Sequence, residues 1–235
     1  MRTHDIHALA GIGADVVLLD APFRFGCWSK AGESKSPQKQ YRTMSLDEIG
    51  ALPIRGIAGA NCWVLAWAPL PHVRAVPQLF DAWGVKLSGP GLIWLKINRD
   101  GSIFKGTGFA FRANTEIAWL GRIGAPERVD RGVSSVIIAP RGRHSAKPVQ
   151  QYERIEHLAG PGRVFVELFA RGDGPPAHWH AAGDELDLNA APKPTAHEDS
   201  TPIYDPVADA WASVSEAYAE IRARQAAGGP GWSPR

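Results

Sequence analysis

Short apolar runs recur along the chain at 15–19 (DVVLL), 62–67 (CWVLAW), 92–96 (LIWLK), 115–120 (TEIAWL), 134–139 (SSVIIA) and 164–169 (VFVELF). They are nearly continuous rather than alternating, the pattern of strands buried on both faces. Helical signals lie between several of them. Ser45 with Glu48 three residues on is a capping box, opening a helix of about two turns to Leu52. Residues 70–83 read as a helix despite Pro77, closed by Gly84, and Pro148 opens a helix to about Leu158. Strands alternating with helices predict an α/β domain over residues 1–188, with a mostly parallel sheet and helices on both faces. A Pro-rich linker is expected over 189–204. In the remaining segment, 205–235, Val207, Trp211, Val214, Tyr218 and Ile221 form one stripe of an amphipathic helix, a candidate dimer contact or lid.

Composition narrows the picture. Hydrophobic residues make up 44% of 235, enough for a sizeable core. No apolar run approaches the roughly 20 residues that span a bilayer, and no signal-peptide pattern opens the chain. The two cysteines, Cys27 and Cys62, read as free thiols of a reducing cytoplasm. Residues 86–147 carry eleven Lys/Arg against four acids, whereas 173–235 carry four against ten. A basic middle suits a polyanionic partner. His178-x-His180, with His144 and Asp184 elsewhere, is the one arrangement that invites a metal reading, and an isolated pair on a Pro/Gly loop is expected at the surface instead, so no metal is predicted.

The first run ends on Asp20-Ala21-Pro22-Phe23. In open α/β sheets, ligands bind beyond the carboxyl ends of strands. There the Asp20 carboxylate can accept a hydrogen bond from an amine. The Ala21 carbonyl, held extended by Pro22, can accept another, and Phe23 offers a face for a planar base. Two acceptors on an exocyclic amine would draw its nitrogen toward a nucleophilic geometry. The polar, basic stretch 24–42 that follows reads as a long loop. Its Lys30, Lys35, Lys39 and Arg42 are candidate phosphate contacts, and its Trp28 is a candidate wedge between bases.

Further blocks follow in order: YRTMSLDEIGALPI (41–54), WGVKLSGPGLIWLKIN (83–98), GTGFAFRANTEIAWLGRIG (106–124) and HSAKPVQQYERIEHLAGPGRVFVELFARG (144–172). With the Asp20 turn, which resembles the Asp-Pro-Pro-Trp signature of amino-group methyltransferases, they resemble the MT-A family. That family is typified by the catalytic subunit of the mRNA N6-adenosine methyltransferase and includes bacterial and phage DNA adenine methyltransferases. The resemblance implies a Rossmann-like class I methyltransferase fold with permuted motif order. It also implies S-adenosylmethionine as methyl donor and the N6 amine of adenine as acceptor. Carried over by position, Asp20 would hold the amine and the donor's amino-acid end, Pro22 would shape the turn, and Phe23 would stack on adenine. Tyr41 would line the target pocket and Glu116 would orient the base. Lys147 would meet the donor's carboxylate, Phe169 and Arg171 would frame its ribose and adenine, and Asp184 and Glu185 would contact the ribose hydroxyls. This chain departs from the pattern at Ala21, Phe23 and Asp184, where the family usually has Pro, Trp and Asn. The expected substrate is nucleic acid, DNA of a bacterium or phage ahead of RNA because no RNA-binding appendage is evident. The competing expectation is an inactive member that binds nucleic acid or a partner subunit.

Overall fold

The computed structural model describes residues 1–24, 43–106, 108, 110–142 and 146–190. Trp28, Lys30, Lys35, Lys39, Tyr41, Arg42, His144 and the helix expected at 205–224 lie outside the described residues. Eight strands form one sheet in the order β1-β8-β7-β2-β3-β5-β4-β6. They span Arg2–Thr3 (β1), Ala14–Leu19 (β2), Ala58–Ala68 (β3), Lys86–Ile97 (β4), Thr115–Ile123 (β5), Val136–Pro140 (β6), Phe165–Leu168 (β7) and His180–Ala182 (β8). Neighbours are parallel except where β5 lies against β3 and β4. Every apolar run named above became a strand.

The continuity of those runs follows from the sheet's two covered faces. In β2, Val17 and Leu19 pack with Ile49, Ile54, Ile57, Phe80 and Trp83. Val16 and Leu18 point the other way, toward Leu65, Trp67, Trp94, Tyr152, Ile155 and Trp179. Three short helices, Leu46–Gly50 (α1), Ile54–Ile57 (α2) and Val76–Ala82 (α3), therefore serve the first face, and Gln150–Ala159 (α4) serves the second. Burying each Val or Leu contributes roughly 1.5–3 kcal/mol. The large indoles in this core are satisfied: Trp67 Nε1 donates to Gln151 Oε1 at 2.8 Å, Trp83 Nε1 to the Ile49 carbonyl at 2.9 Å and Trp94 Nε1 to the Ala139 carbonyl at 2.9 Å.

Three expectations need adjustment. The helix after Ser45 stops at Gly50, two residues short of Leu52, with Pro53 following. The 70–83 segment is a 3₁₀ helix over Leu70–Ala75 leading into α3. Pro77 lacks an N–H and its ring would clash with a preceding carbonyl, so the α-helix starts at Val76 and places the proline in its first turn. His180, read as part of a loop, lies in β8, where the parallel neighbours β1 and β7 supply the pairing that its own composition does not. No helix among the described residues is long and apolar enough to cross a membrane.

The capping box is present, with Ser45 Oγ accepting from the Glu48 N–H at 3.2 Å and Glu48 Oε2 accepting from the Ser45 N–H at 2.7 Å. It sits next to Met44, whose N–H donates to the Pro22 carbonyl at 2.7 Å and whose carbonyl accepts from the Arg24 N–H at 3.0 Å. The helix start thus clamps the Asp20 turn. Ser45→Ala is expected to lower stability by about 1 kcal/mol, read as a shift of the urea midpoint at unchanged slope.

Candidate active site

The carboxyl ends of the parallel strands converge on one edge of the sheet. Because β5 runs the other way, its beginning, Thr115-Glu116, reaches the same edge. The chain leaves β2 toward β3 on one side, and β7 returns on the other. The crevice between β2 and β7 is therefore the switch point where open α/β sheets bind ligands. Leu19 pairs with Leu168, which sets Asp20 beside Phe169.

Asp20 is engaged by Lys147, whose Nζ lies 2.6 Å from Asp20 Oδ2 and 3.3 Å from Glu116 Oε2. Glu116 is also hydrogen-bonded to Lys96, at the end of β4. Two lysines and two carboxylates thus form one alternating chain. Beneath it, the Lys147 ammonium lies 5.6 Å from the ring centre of Trp67, and Lys96 lies 5.1 Å from that of Trp94. Burial alone would push Lys147 toward the neutral amine, but the Asp20 and Glu116 carboxylates outweigh it and raise its pKa above the ordinary value. Burial likewise opposes ionisation of Glu116, and Lys147 and Lys96 overcome it, holding the carboxyl below its usual range. Lys147 and Glu116 are therefore held in their ionised forms at neutral pH.

The turn itself is tightly made. The Phe23 N–H donates to the Ala21 carbonyl at 3.0 Å, which leaves that oxygen one further lone pair. Phe23 is only 5% exposed and packs into the core, its ring centre 5.0 Å from that of His72. The stacking face expected of it is turned into the fold.

A cavity of about 900 Å³ opens beside this turn, within the size range of cofactor sites. Pro22, Phe169, Arg171, Asp184 and Glu185 line it, joined by His4, Asp5, Ile6, Met44, Glu48 and Leu52. Five residues singled out from the sequence thus meet at one place. Asp20 and Lys147 do not line it, and Pro22 connects the cavity to the charged chain. Phe169 holds a left-handed backbone with φ of 63°, a conformation that costs a non-glycine residue roughly 1–2 kcal/mol and concentrates at ligand sites. Arg171 Nη1 lies 4.0 Å from Glu185 Oε2, and the Gly172 N–H donates to the Glu185 carbonyl at 2.9 Å, so the loops after β7 and β8 are tied together. Gly183 permits this approach, since a Cβ there would run into the Ala170 carbonyl.

The donor set suits S-adenosylmethionine, which MT-A70 methyltransferases use. Carboxylates of Asp184 and Glu185 could accept from vicinal hydroxyls or an ammonium, and Phe169 and the cavity residues Ile6 and Leu52 could supply apolar wall for an adenine. Residues 14–185 match the MT-A70 family model. The chain belongs to the MT-A70 family. Its sheet is accordingly that of a class I Rossmann-like methyltransferase. Among its relatives, the N(6)-adenosine-methyltransferase MT-A70-like protein of Drosophila melanogaster is 30% identical over 150 residues, which is 63% of this chain and 24% of that protein. The N(6)-adenosine-methyltransferase subunit METTL3 of Danio rerio is 29% identical over 63% of this chain and 25% of its own length. The N(6)-adenine-specific methyltransferase METTL4 of Mus musculus is 24% identical over 73% of this chain and 37% of its own. The matched region is thus about a quarter to just over a third of the length of these relatives.

Sequence reasoning missed Lys96, Trp67 and Trp94. The signal was present in the WLK block, where an indole and an amine two residues apart share one face of a strand. The histidines have separate partners: His178 Nε2 is 3.0 Å from Glu156 Oε1, and His180 Nδ1 is 2.8 Å from the N-terminal amine. Among the described residues, no cluster of three or more His, Cys, Asp or Glu could hold a metal ion.

Glu116→Gln would leave two part-buried ammonium groups short of a counter-charge and is expected to cost about 3 kcal/mol at pH 7. Because the pKa of Glu116 is depressed on folding, this deficit should hold from neutral pH down to the ordinary carboxylate range. It should then shrink as pH falls through the depressed value, as followed by urea titrations from pH 7 to pH 3. Gly183→Ala should cost about 2 kcal/mol and weaken binding of S-adenosylmethionine, read by calorimetry.

Proposed function

We propose that this chain transfers a methyl group to the N6 amine of adenine in nucleic acid, with DNA of a bacterium or phage the favoured substrate. The observation that carries the reading is the juxtaposition of the Asp20 turn, clamped and charge-balanced, with a cofactor-sized cavity at the sheet's switch point. S-adenosylmethionine, when bound in that cavity, would supply an electrophilic methyl on a sulfonium. Asp184, Glu185, Arg171 and Phe169 would hold its ribose and adenine. Lys147 uses two of its three donors on Asp20 and Glu116, leaving one for a carboxylate at the donor's amino-acid end.

Asp20 performs the positioning on the substrate side. Its Oδ2 is committed to Lys147, so Oδ1 faces the task of accepting from the adenine amine, while the Ala21 carbonyl accepts the second hydrogen. Glu116, held ionised by two lysines, would orient the base, and Phe23 supports the turn from below. Tyr41, Trp28 and Lys39 would complete the target pocket and strand contacts. Acceleration comes from alignment of the amine with the methyl carbon and from ionised groups fixed in advance.

Purified protein incubated with S-adenosylmethionine and adenine-containing duplex DNA, single-stranded DNA or RNA should yield N6-methyladenine by mass spectrometry of digested nucleosides. Asp20→Ala should lower the rate at least 100-fold with S-adenosylmethionine still bound. Donor binding without product on any substrate would instead support a scaffold member of the family.

A further inference from the structure

The connection from β4 to β5, residues 98–114, is longer than a turn requires and projects from the edge that carries Asp20. It grows directly out of the charged chain. The backbone of Lys96 donates to the Asn114 carbonyl at 2.8 Å and accepts from the Phe104 N–H at 2.9 Å, so both limbs are pinned to the residue that grips Glu116. Above that, the Gly106 N–H donates to the Ala113 carbonyl at 3.1 Å. Gly108 lies so close to the Phe111 carbonyl that a Cβ would collide with it.

At the tip, Phe111 is 91% exposed, the most exposed large apolar side chain among the described residues. An aromatic ring left almost wholly in water by a backbone that needs a glycine to present it is a cost without a return inside the fold. Its surroundings are cationic. Arg112, Lys105 and Arg99 are exposed on the same connection, with Asp100 the one acid, and Arg141 at the end of β6 lies 3.9 Å from the ring centre of Phe104. Phe111 is five residues from Glu116, so it stands at most ~17 Å from it along the chain, a span of a few nucleotides.

We infer that Phe111 is a stacking platform for a base flanking the target adenine, with Lys105 and Arg112 holding the adjoining phosphates, and that the substrate is engaged as a single or locally unpaired strand. An exposed ring beside cations is the combination that binds single strands: the ring accepts a base face and the cations track the backbone. A paired duplex offers no free base face to such a ring. The inference rests on the nucleic-acid reading above and deepens it by naming the form of the substrate.

Steady-state methylation and fluorescence anisotropy with labelled single-stranded oligonucleotides test it, using the 235-residue chain. Phe111→Ala should raise KM and Kd for the oligonucleotide about tenfold, the effect of losing one base–aromatic stack, with kcat changed less than twofold and donor affinity unchanged. Phe111→Trp should restore binding. An oligonucleotide with abasic residues flanking the adenine should bind wild type about tenfold more weakly and show no further loss with Phe111→Ala. Lys105→Ala and Arg112→Ala should each reduce the salt dependence of binding by about one unit of slope. Wild-type activity with unchanged KM in Phe111→Ala would overturn the platform and leave the methyltransferase reading intact. A change in oligomeric state instead of KM would also overturn it and reassign Phe111 to a protein contact. Failure of wild type to bind or methylate any nucleic acid would overturn both.

Discussion

The site depends on one buried ammonium. Lys147 could not remain charged where it lies without the carboxylates of Asp20 and Glu116, and it is the group that joins those two carboxylates. The three groups come from the end of β2, the start of β5 and the segment after β6, so a single point ties together distant parts of the sheet. A register slip in any of these strands would strand a charge in the interior, at a cost of several kcal/mol. Lys96 completes the balance, two cations against two anions. Charge neutrality at this spot is a condition on the fold as much as on the chemistry.

Two halves of the molecule meet at Asp20. On the β7–β8–β1 side lies the cavity, built from loops that close on one another through Gly183, Arg171 and Glu185. On the β3–β5–β4–β6 side lies the charged chain, floored by the indoles of Trp67 and Trp94. The Asp20 turn belongs to neither side alone. It is pinned by Met44 and the helix that Ser45 caps, so its geometry is set before either ligand arrives.

The strands and the capping box were legible because each is written locally: a run buried on both faces is apolar throughout, and a capping box has fixed spacing. β1 and β8 were not legible. Arg2–Thr3 and His180–Ala182 carry little apolar signal, and only their pairing with each other and with β7 makes them strands. The cavity residues Phe169, Arg171, Asp184 and Glu185 were found through family blocks, whereas His4, Asp5 and Glu48 reach it by topology alone. Phe23 shows a different limit. An aromatic after a strand-end turn such as Asp20-Ala21-Pro22 can face the site or the core with the same sequence, and the packing against His72 decides it. Lys96 escaped notice because its role exists only once β5 reverses and brings Glu116 alongside.

That reversal has a consequence for how such proteins diversify. A parallel neighbour to β4 would require the chain to cross back over a face of the sheet before returning to the reactive edge. An antiparallel neighbour returns at once, so the connection from β4 to β5 never leaves the rim. Its two ends are anchored in the ion-paired chain, while its middle carries no core residue among the described residues and can lengthen, shorten or change composition without disturbing strand register. The fold thereby separates an ion-paired chain that fixes strand register from a loop above it that can change without disturbing that register.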